Sequence, residues 1–235
     1  IADLKTGPVE ITATPISSFL RFGSGDDVPL GKLKFRGGLV LTSEHKQFGG
    51  WSGIVLDDAA RRFVAISDIG VWMTGTIDYD GDRPAHIKDA RLGPLLGQDG
   101  TILTRNIYRD AEAVALEKGT LEKGTLFVSF ERRPRIVRYG IGDDGVEAAT
   151  GAIELPKRIR AMRRNQGFEA ITVMRSGDYK GRTVAFAERL YNKDRNHTGW
   201  IWTKKGVEPL YLKNIGDFDV TDIASGDDGS LYVLE

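Results

Sequence analysis

The sequence predicts an all-β protein whose strands form the radial blades of a β-propeller, and three observations carry that expectation. One hairpin pattern recurs: an apolar strand entered through a polar or acidic position, a turn, a second apolar strand and an acid at its end. Its copies are WSGIVLDDAARRFVAISD from Trp51, DAEAVALEKGTLEKGTLFVSFER from Asp110, FEAITVMRSGDYKGRTVAFAER from Phe168 and DVTDIASGDDGSLYVLE from Asp219. Further strand-like segments follow the first three copies, enough to complete four-stranded blades. Glycine is abundant, at 29 residues, which suits many tight turns. A hairpin cannot bury its apolar face alone, so copies of it imply neighbours stacked side by side.

In chain order, strands are expected around Glu10 to Ala13 and Lys32 to Thr42, separated by the turn-rich GSGDDVPLG. KLKFRGGLVLTS alternates well enough for an outer blade strand. The first full blade starts at Trp51 and continues through GVWMTGTIDYDGDRPAHIKDARLGPLL, two strands joined at DYDGD. Residues 97–109 read as a polar connection. The second blade takes RPRIVRYGIG and EAATGAIEL as its outer strands, and the tandem EKGTLEKGTL within it reads as a lengthened hairpin turn. PKRIRAMRRNQG is a basic run expected to be a solvated connection, or a phosphate-binding patch if Arg160, Arg163 or Arg164 points at the acids. The third blade spans Phe168 to about Leu212, with HTGWIWTKKGVEPLYL as its outer hairpin, and the fourth has two strands. Propellers close with roughly four to eight blades, often by pairing an N-terminal strand with the last one. The expectation is therefore one domain over residues 1–235, its N-terminal strands closing the ring and its natural chain continuing beyond Glu235.

Hairpin geometry gives the acids their meaning. The start of the first strand and the end of the second lie side by side at the end away from the turn. Glu112 pairs with Glu131, Glu169 with Glu188 and Asp222 with Glu235, while the first copy carries Ser52 and Asp68 in those places. Radially arranged, these groups form one electronegative ring. Crowded carboxylates either raise their pKa values or bind a cation, and a hard, oxygen-rich site favours Ca²⁺, with Mg²⁺ the more demanding alternative. The candidate ligands are Asp68, Glu112, Glu131, Glu169, Glu188, Asp222 and Glu235. Glu112, Glu131, Glu169 and Glu188 are also candidates for orienting water in catalysis, and Arg132 and Arg189 for clamping an anionic substrate. Strand alternation sends each Arg to the face opposite its acidic neighbour, which weakens the clamp assignment. Capping of backbone groups and ion pairing between blades is the competing structural role for the acids.

Other chemistry is restricted. The chain has no Cys, which excludes thiol catalysis, Cys-bound zinc and disulfides. Lys and Arg total 33, as do Asp and Glu, so nothing in the net charge draws the protein to nucleic acid or an anionic membrane. No apolar run approaches the roughly 20 residues of a membrane span, and no signal-peptide pattern begins at Ile1. His45, His86 and His197 lack metal-ligand spacing, and each is expected to sit at the surface or in a hydrogen bond, His86 in an outer strand and His197 in a loop. His45 precedes the inner strand most closely. Ser52, in GWSGI, lacks the GxSxG elbow and is not a hydrolase nucleophile.

The motifs VEITATP, LKFRGGLVLTS, FGGWSGIVLD, ISDIGVWMTGTI, DARLGPLL, DAEAVAL, LFVSFERRPRIVRY, NQGFEAITV, DVTDIA and LYVLE, in this order, resemble the phytase-like β-propeller family described as having esterase-like activity of phytase. The resemblance implies a periplasmic or secreted propeller with acidic repeat positions and a phosphoester-hydrolysing role. The chain departs from it at Ser52, where an acid is missing. Residues and resemblance together point to a Ca²⁺-dependent hydrolase of small phosphomonoesters or phosphodiesters. The alternatives are a non-catalytic propeller that binds a ligand or protein over its acidic face, and a lactonase-like metal hydrolase.

Overall fold

Three segments, RFVAIS, LFVSF and TVAFA, are apolar on both strand faces, and such runs are stable only between two layers of protein. In the computed structural model, which describes residues 1–16, 34–157, 159 and 167–235, each is the second strand of a sheet and is buried almost throughout. The strands are β1 (Gly7–Pro8), β2 (Thr12–Ile16), β3 (Gly38–Thr42), β4 (Trp51–Leu56), β5 (Arg62–Ser67), β6 (Val71–Asp80) and β7 (Arg83–Pro94). After the short helix α1 (Asn106–Arg109) come β8 (Ala111–Gly119), β9 (Gly124–Phe130), β10 (Arg135–Gly142) and β11 (Gly145–Ala152). The remainder are β12 (Phe168–Val173), β13 (Thr183–Tyr191), β14 (His197–Thr203), β15 (Gly206–Leu212), β16 (Asp222–Ser225) and β17 (Leu231–Leu234).

Sheet order follows chain order. The blades are β4-β5-β6-β7, β8-β9-β10-β11, β12-β13-β14-β15 and the two-stranded β16-β17, every neighbouring pair antiparallel. The first strands stand next to one another, β8 between β4 and β12, and β12 between β8 and β16. Sheets that meet along their first strands and fan outward form a β-propeller, as the sequence predicts. β1 adds to the outer edge of the first blade beside β7, and the β2-β3 hairpin packs against the same strand.

The core lies in the seams between blades. Trp72, Leu126, Phe130 and Tyr139 fill the first seam, Phe127, Ile136, Phe168 and Trp200 the second, and Phe186, Ile201, Val220 and Ile223 the third. Trp72 is fully buried and its indole N–H donates to the carbonyl of Pro94 at 3.0 Å. Its ring rests on Gly145, where an added Cβ would lie 2.2 Å from the indole and the backbone φ is +105°, so only glycine serves there. The inner strands also approach closely: a Cβ on Gly53 would lie 2.9 Å from the Ala113 Cα.

Several boundaries differ from the sequence reading. Of the strand expected over Lys32 to Thr42, residues 32–33 lie outside the described residues, and β3 begins at Gly38, directly after Gly37 at φ +133°. The connection 97–109 contains α1, and Leu96 bridges both Ile102 and Ala148, tying it to β11. The EKGTLEKGTL duplication supplies the facing ends of β8 and β9 as well as their turn, and Leu121 within it joins the core. Strand β13 runs past Glu188 to Tyr191, with a break in register between Phe186, which faces Gly199, and Tyr191, which faces His197. Four residues of β13 thus oppose a single position of β14, a bulge that re-aims the side chains of 187–190. Arg160, Arg163 and Arg164 lie outside the described residues.

Candidate metal centre

One backbone hydrogen bond is repeated in three blades and positions the acids. The N–H of Asp68 donates to the carbonyl of Gly50 at 3.0 Å, that of Glu131 to Asp110 at 2.9 Å and that of Glu188 to Gly167 at 3.1 Å. In each case the acceptor sits two residues before Ser52, Glu112 or Glu169. The second-strand acid is thereby pinned beside the first-strand position, as hairpin geometry demands. Gly167 also lets the third blade close on the second, since a Cβ there would lie 2.6 Å from the Glu131 Cα.

The side chains converge accordingly. Asp110, Glu112 and Glu131 form one group and Glu131, Glu169 and Glu188 a second, each with carboxylate oxygens within 4.8 Å of one another. Glu131 is shared, so five carboxylates make one continuous cluster across the second and third blades. Burial, then Asp110, Glu131 and Asp68, push the Glu112 carboxyl up to about 7, against a hydrogen bond from the Ser52 hydroxyl that favours its anion. Burial, then Glu112, Glu131, Glu188 and Asp110, push Glu169 up to about 8. Glu131 is raised by burial and by Asp110 and Glu188, and Glu188 by burial against the opposing Arg189. Among the described residues, no Lys, Arg or His forms an ion pair with Glu112, Glu131 or Glu169. Glu112, Glu131 and Glu169 therefore crowd together in a half-buried cluster, a condition relieved either by protonation or by a bound cation.

Asp110 is the member that the sequence assignment omitted. The other copies of the hairpin carry Gly50, Gly167 and Val220 at its position, so a pattern shared between copies does not mark it. Its only signal was the acidic letter that opens DAEAVAL.

Asp68 lies close enough to raise Glu112 electrostatically but belongs to neither group. Asp222 and Glu235 are also outside them. Asp222 is raised by burial and lines an apolar cavity of about 360 Å³ with Trp51, Ser52, Gly53 and Ile54. Glu235 instead places Oε1 3.6 Å from Nε2 of His197. That histidine is not in a loop: it opens β14, is fully buried, packs on the Tyr191 ring at 5.1 Å, and neither ring nitrogen has a hydrogen-bond partner. The bulge in β13 and the turn into the fourth blade enclose it, an arrangement with no local sequence signature. His86 lies in β7, the outer strand, as expected, and half-buried His45 accepts from the Gln47 N–H at 3.3 Å.

Both arginines assigned to substrate already hold carboxylates. Arg132 Nε donates to Asp110 at 2.6 Å, and Arg189 Nε to Asp219 at 2.7 Å with Glu188 3.7 Å away. Arg189 holds the Asp219 carboxyl below its usual range. Arg189 and Glu188 thus approach each other instead of lying on opposite faces, because the bulge interrupts the alternation.

Fold and site together define a β-propeller with a carboxylate cluster on one rim, at the junction of two inner strands. A family model described as "Phytase-like: Esterase-like activity of phytase" matches residues 46–235, and the chain belongs to that family. No curated protein matches the chain. Among solved structures it is similar to a Dos1 propeller, at 9% identity and TM-score 0.45, over 85% of this chain and 46% of that one. It is also similar to a functionally unknown protein from Desulfotomaculum acetoxidans DSM 771, at 15% identity and TM-score 0.40, over 83% of this chain and 65% of that one. The chain therefore spans less than two thirds of the length of either structure. No helix among the described residues is long and apolar enough to cross a membrane.

Proposed function

We propose that this protein is a phytase-like, divalent-cation-dependent phosphoesterase acting on small phosphomonoesters or phosphodiesters, with Ca²⁺ as its ion and the periplasm or cell exterior as its compartment. The observation that carries the reading is the cluster of Asp110, Glu112, Glu131, Glu169 and Glu188, half-buried and without a basic partner at its centre. Each group of three carboxylates offers up to six oxygens, the lower end of the six to eight that Ca²⁺ takes, about 2.3–2.6 Å away, in flexible geometry, with water or substrate completing the shell. Mg²⁺ demands a stricter octahedron and is the second choice. When bound, the divalent ion supplies Lewis-acid stabilisation of charge on a phosphoryl oxygen.

The chain's own groups supply the rest. Without the ion, Glu112 and Glu169, raised to about 7 and about 8, hold a proton near neutral pH, and binding a cation would release it. The Ser52 hydroxyl, which donates to the Gly50 carbonyl at 3.4 Å, lies near Glu112 and favours its anion. Asp110 holds Arg132 at the edge of the cluster, where the guanidinium's remaining donors are available to an anionic substrate.

The test is hydrolysis of a chromogenic phosphoester by protein stripped with EDTA and then resupplied with Ca²⁺ or Mg²⁺. The reading expects activity only with the ion and its loss in Glu112→Gln or Glu169→Gln. Full turnover by the stripped protein would overturn it. The ion pairs already made by Arg132 and Arg189 favour a second reading, a propeller that binds ligands without turnover. Strong stabilisation by Ca²⁺ with no hydrolysis across a phosphoester panel would establish that reading instead.

A further inference from the structure

Side chains fill the seams between blades, but one face of the first blade is left hollow. Val64, Ile66 and Trp72 point from this blade into the seam with the second, and strand alternation sends Phe63, Ala65 and Met73 to the opposite face. Those three are buried and form the floor of the apolar cavity of about 360 Å³ that Asp222 also lines. Leu41 of β3 and the exposed Ile54 of β4 border it.

Two features of the wall point to a ligand. Trp51 packs edge-on against Phe48 at 5.4 Å, yet among the described residues its buried indole N–H has no hydrogen-bond partner. A buried donor left unpaired is costly, and an acceptor atom on an occupant offsets that cost. The cavity also adjoins the carboxylate cluster. Its wall includes Ser52, whose hydroxyl lies near Glu112, and Gly53, where a Cβ would lie 3.0 Å from the Glu112 carbonyl oxygen. An apolar cavity of about 150 Å³ holds a benzene ring, so this one has room for two fused rings. The Trp51 and Phe63 rings and the Met73 thioether favour an aromatic occupant over an alkyl chain.

From this geometry we infer that the cavity seats the aromatic alcohol of an aryl phosphoester, with its phosphoryl group on the Glu112 side of Ser52. The substrate class is then an ester of an apolar, one- or two-ring alcohol. Hydrolysis forms a bond from a water oxygen to phosphorus and breaks the ester P–O bond. The aryl oxygen leaves with one of the water's protons, and the ring stays in the cavity until it is released. The substrate assignment rests on the proposed function, while the aromatic site rests on the cavity alone.

The two are separable with 2-naphthol, which carries no phosphate, titrated into EDTA-treated protein by calorimetry. Wild type is expected to bind it, and Ile54→Asp on one wall and Leu41→Asp on the other each to weaken binding by about tenfold or more, as a charge set against an apolar ring implies. An undiminished thermal response to Ca²⁺ in these variants shows that they fold. With Ca²⁺ present, the kcat/KM ratio of 2-naphthyl phosphate to glycerol 2-phosphate is expected to fall about tenfold in I54D; intrinsic reactivity of the two leaving groups cancels in that comparison. No naphthol binding by wild type, or an unchanged Kd in both variants, overturns the aromatic site and leaves the metal reading standing. A wild-type dimer that dissociates in I54D, without naphthol binding, assigns the face to a second copy instead. Naphthol binding with no hydrolysis of either ester retains the aromatic site and removes the phosphoesterase reading. Hydrolysis with an unchanged ratio in I54D overturns the substrate assignment.

Discussion

Replacing Glu169 by Gln makes opposite demands on the protein with and without its ion. In the absence of metal, the folded state keeps a proton on Glu169 up to about pH 8, whereas the unfolded chain releases it near 4.5. Its folded pKa is raised, so its contribution is intact below about 4.5 and is lost as pH climbs through about 8. Glutamine mimics the protonated acid and does not titrate. At about 1.4 kcal/mol per pH unit the difference is bounded near 5 kcal/mol; discounted for solvent on one side and for relief of repulsion once a neighbour takes a proton, about 2 kcal/mol remains. For a chain of this length that is about 4–8 °C in Tm. In EDTA the variant and wild type should therefore melt together at pH 5, and the variant should melt higher at pH 9. Calcium at about 100 times Kd adds about 2.7 kcal/mol to wild type, and the loss of one carboxylate should remove about half of that or more. Differential scanning calorimetry at pH 5, 7 and 9, with EDTA and with calcium, reads all of this. A variant destabilised equally at every pH, with an undiminished response to calcium, would refute the reasoning.

The same electrostatics predict opposite shifts at Glu112: Asp110→Asn should lower the carboxyl titration midpoint from about 7, and Ser52→Ala should raise it, both followed by carboxyl-carbon NMR. Ser129 is buried between the second and third blades, accepting from the Ala113 N–H at 2.9 Å and donating to the Phe168 carbonyl at 2.9 Å. Ser129→Ala should cost about 1–3 kcal/mol in urea unfolding by leaving both groups unpaired. Gly53→Val should cost a similar amount, about 1–3 kcal/mol, because its Cβ meets the Ala113 backbone, which has no rotamer with which to yield; urea midpoints test this as well.

The propeller was legible because its determinants are local and repeated. RFVAIS, LFVSF and TVAFA are apolar on both faces wherever they are placed, and the turns between them carry glycines at positive φ such as Gly70, Gly119 and Gly181. Pairing of Glu112 with Glu131, and of Glu169 with Glu188, followed from antiparallel register alone, which requires no knowledge of the rest of the chain. Asp110 was not legible, because its equivalents in the other copies are Gly50, Gly167 and Val220. Nor was the environment of His197, which depends on a bulge four residues long and on Glu235 reaching it from the next blade.

The amino-acid order by itself determined the strands, their antiparallel partners and the end of each hairpin at which its acids gather, since hydrogen-bond register and side-chain alternation act over a few residues. Only the tertiary structure decided which hairpins lend their acids to a common cluster. It brought the second and third blades together through Gly167 and Glu131, left Asp222 and Glu235 in other surroundings, and matched Arg132 and Arg189 with Asp110 and Asp219. Those outcomes depend on how closely one blade packs on the next and on bulges that redirect single side chains, quantities to which residues distant in the chain contribute jointly.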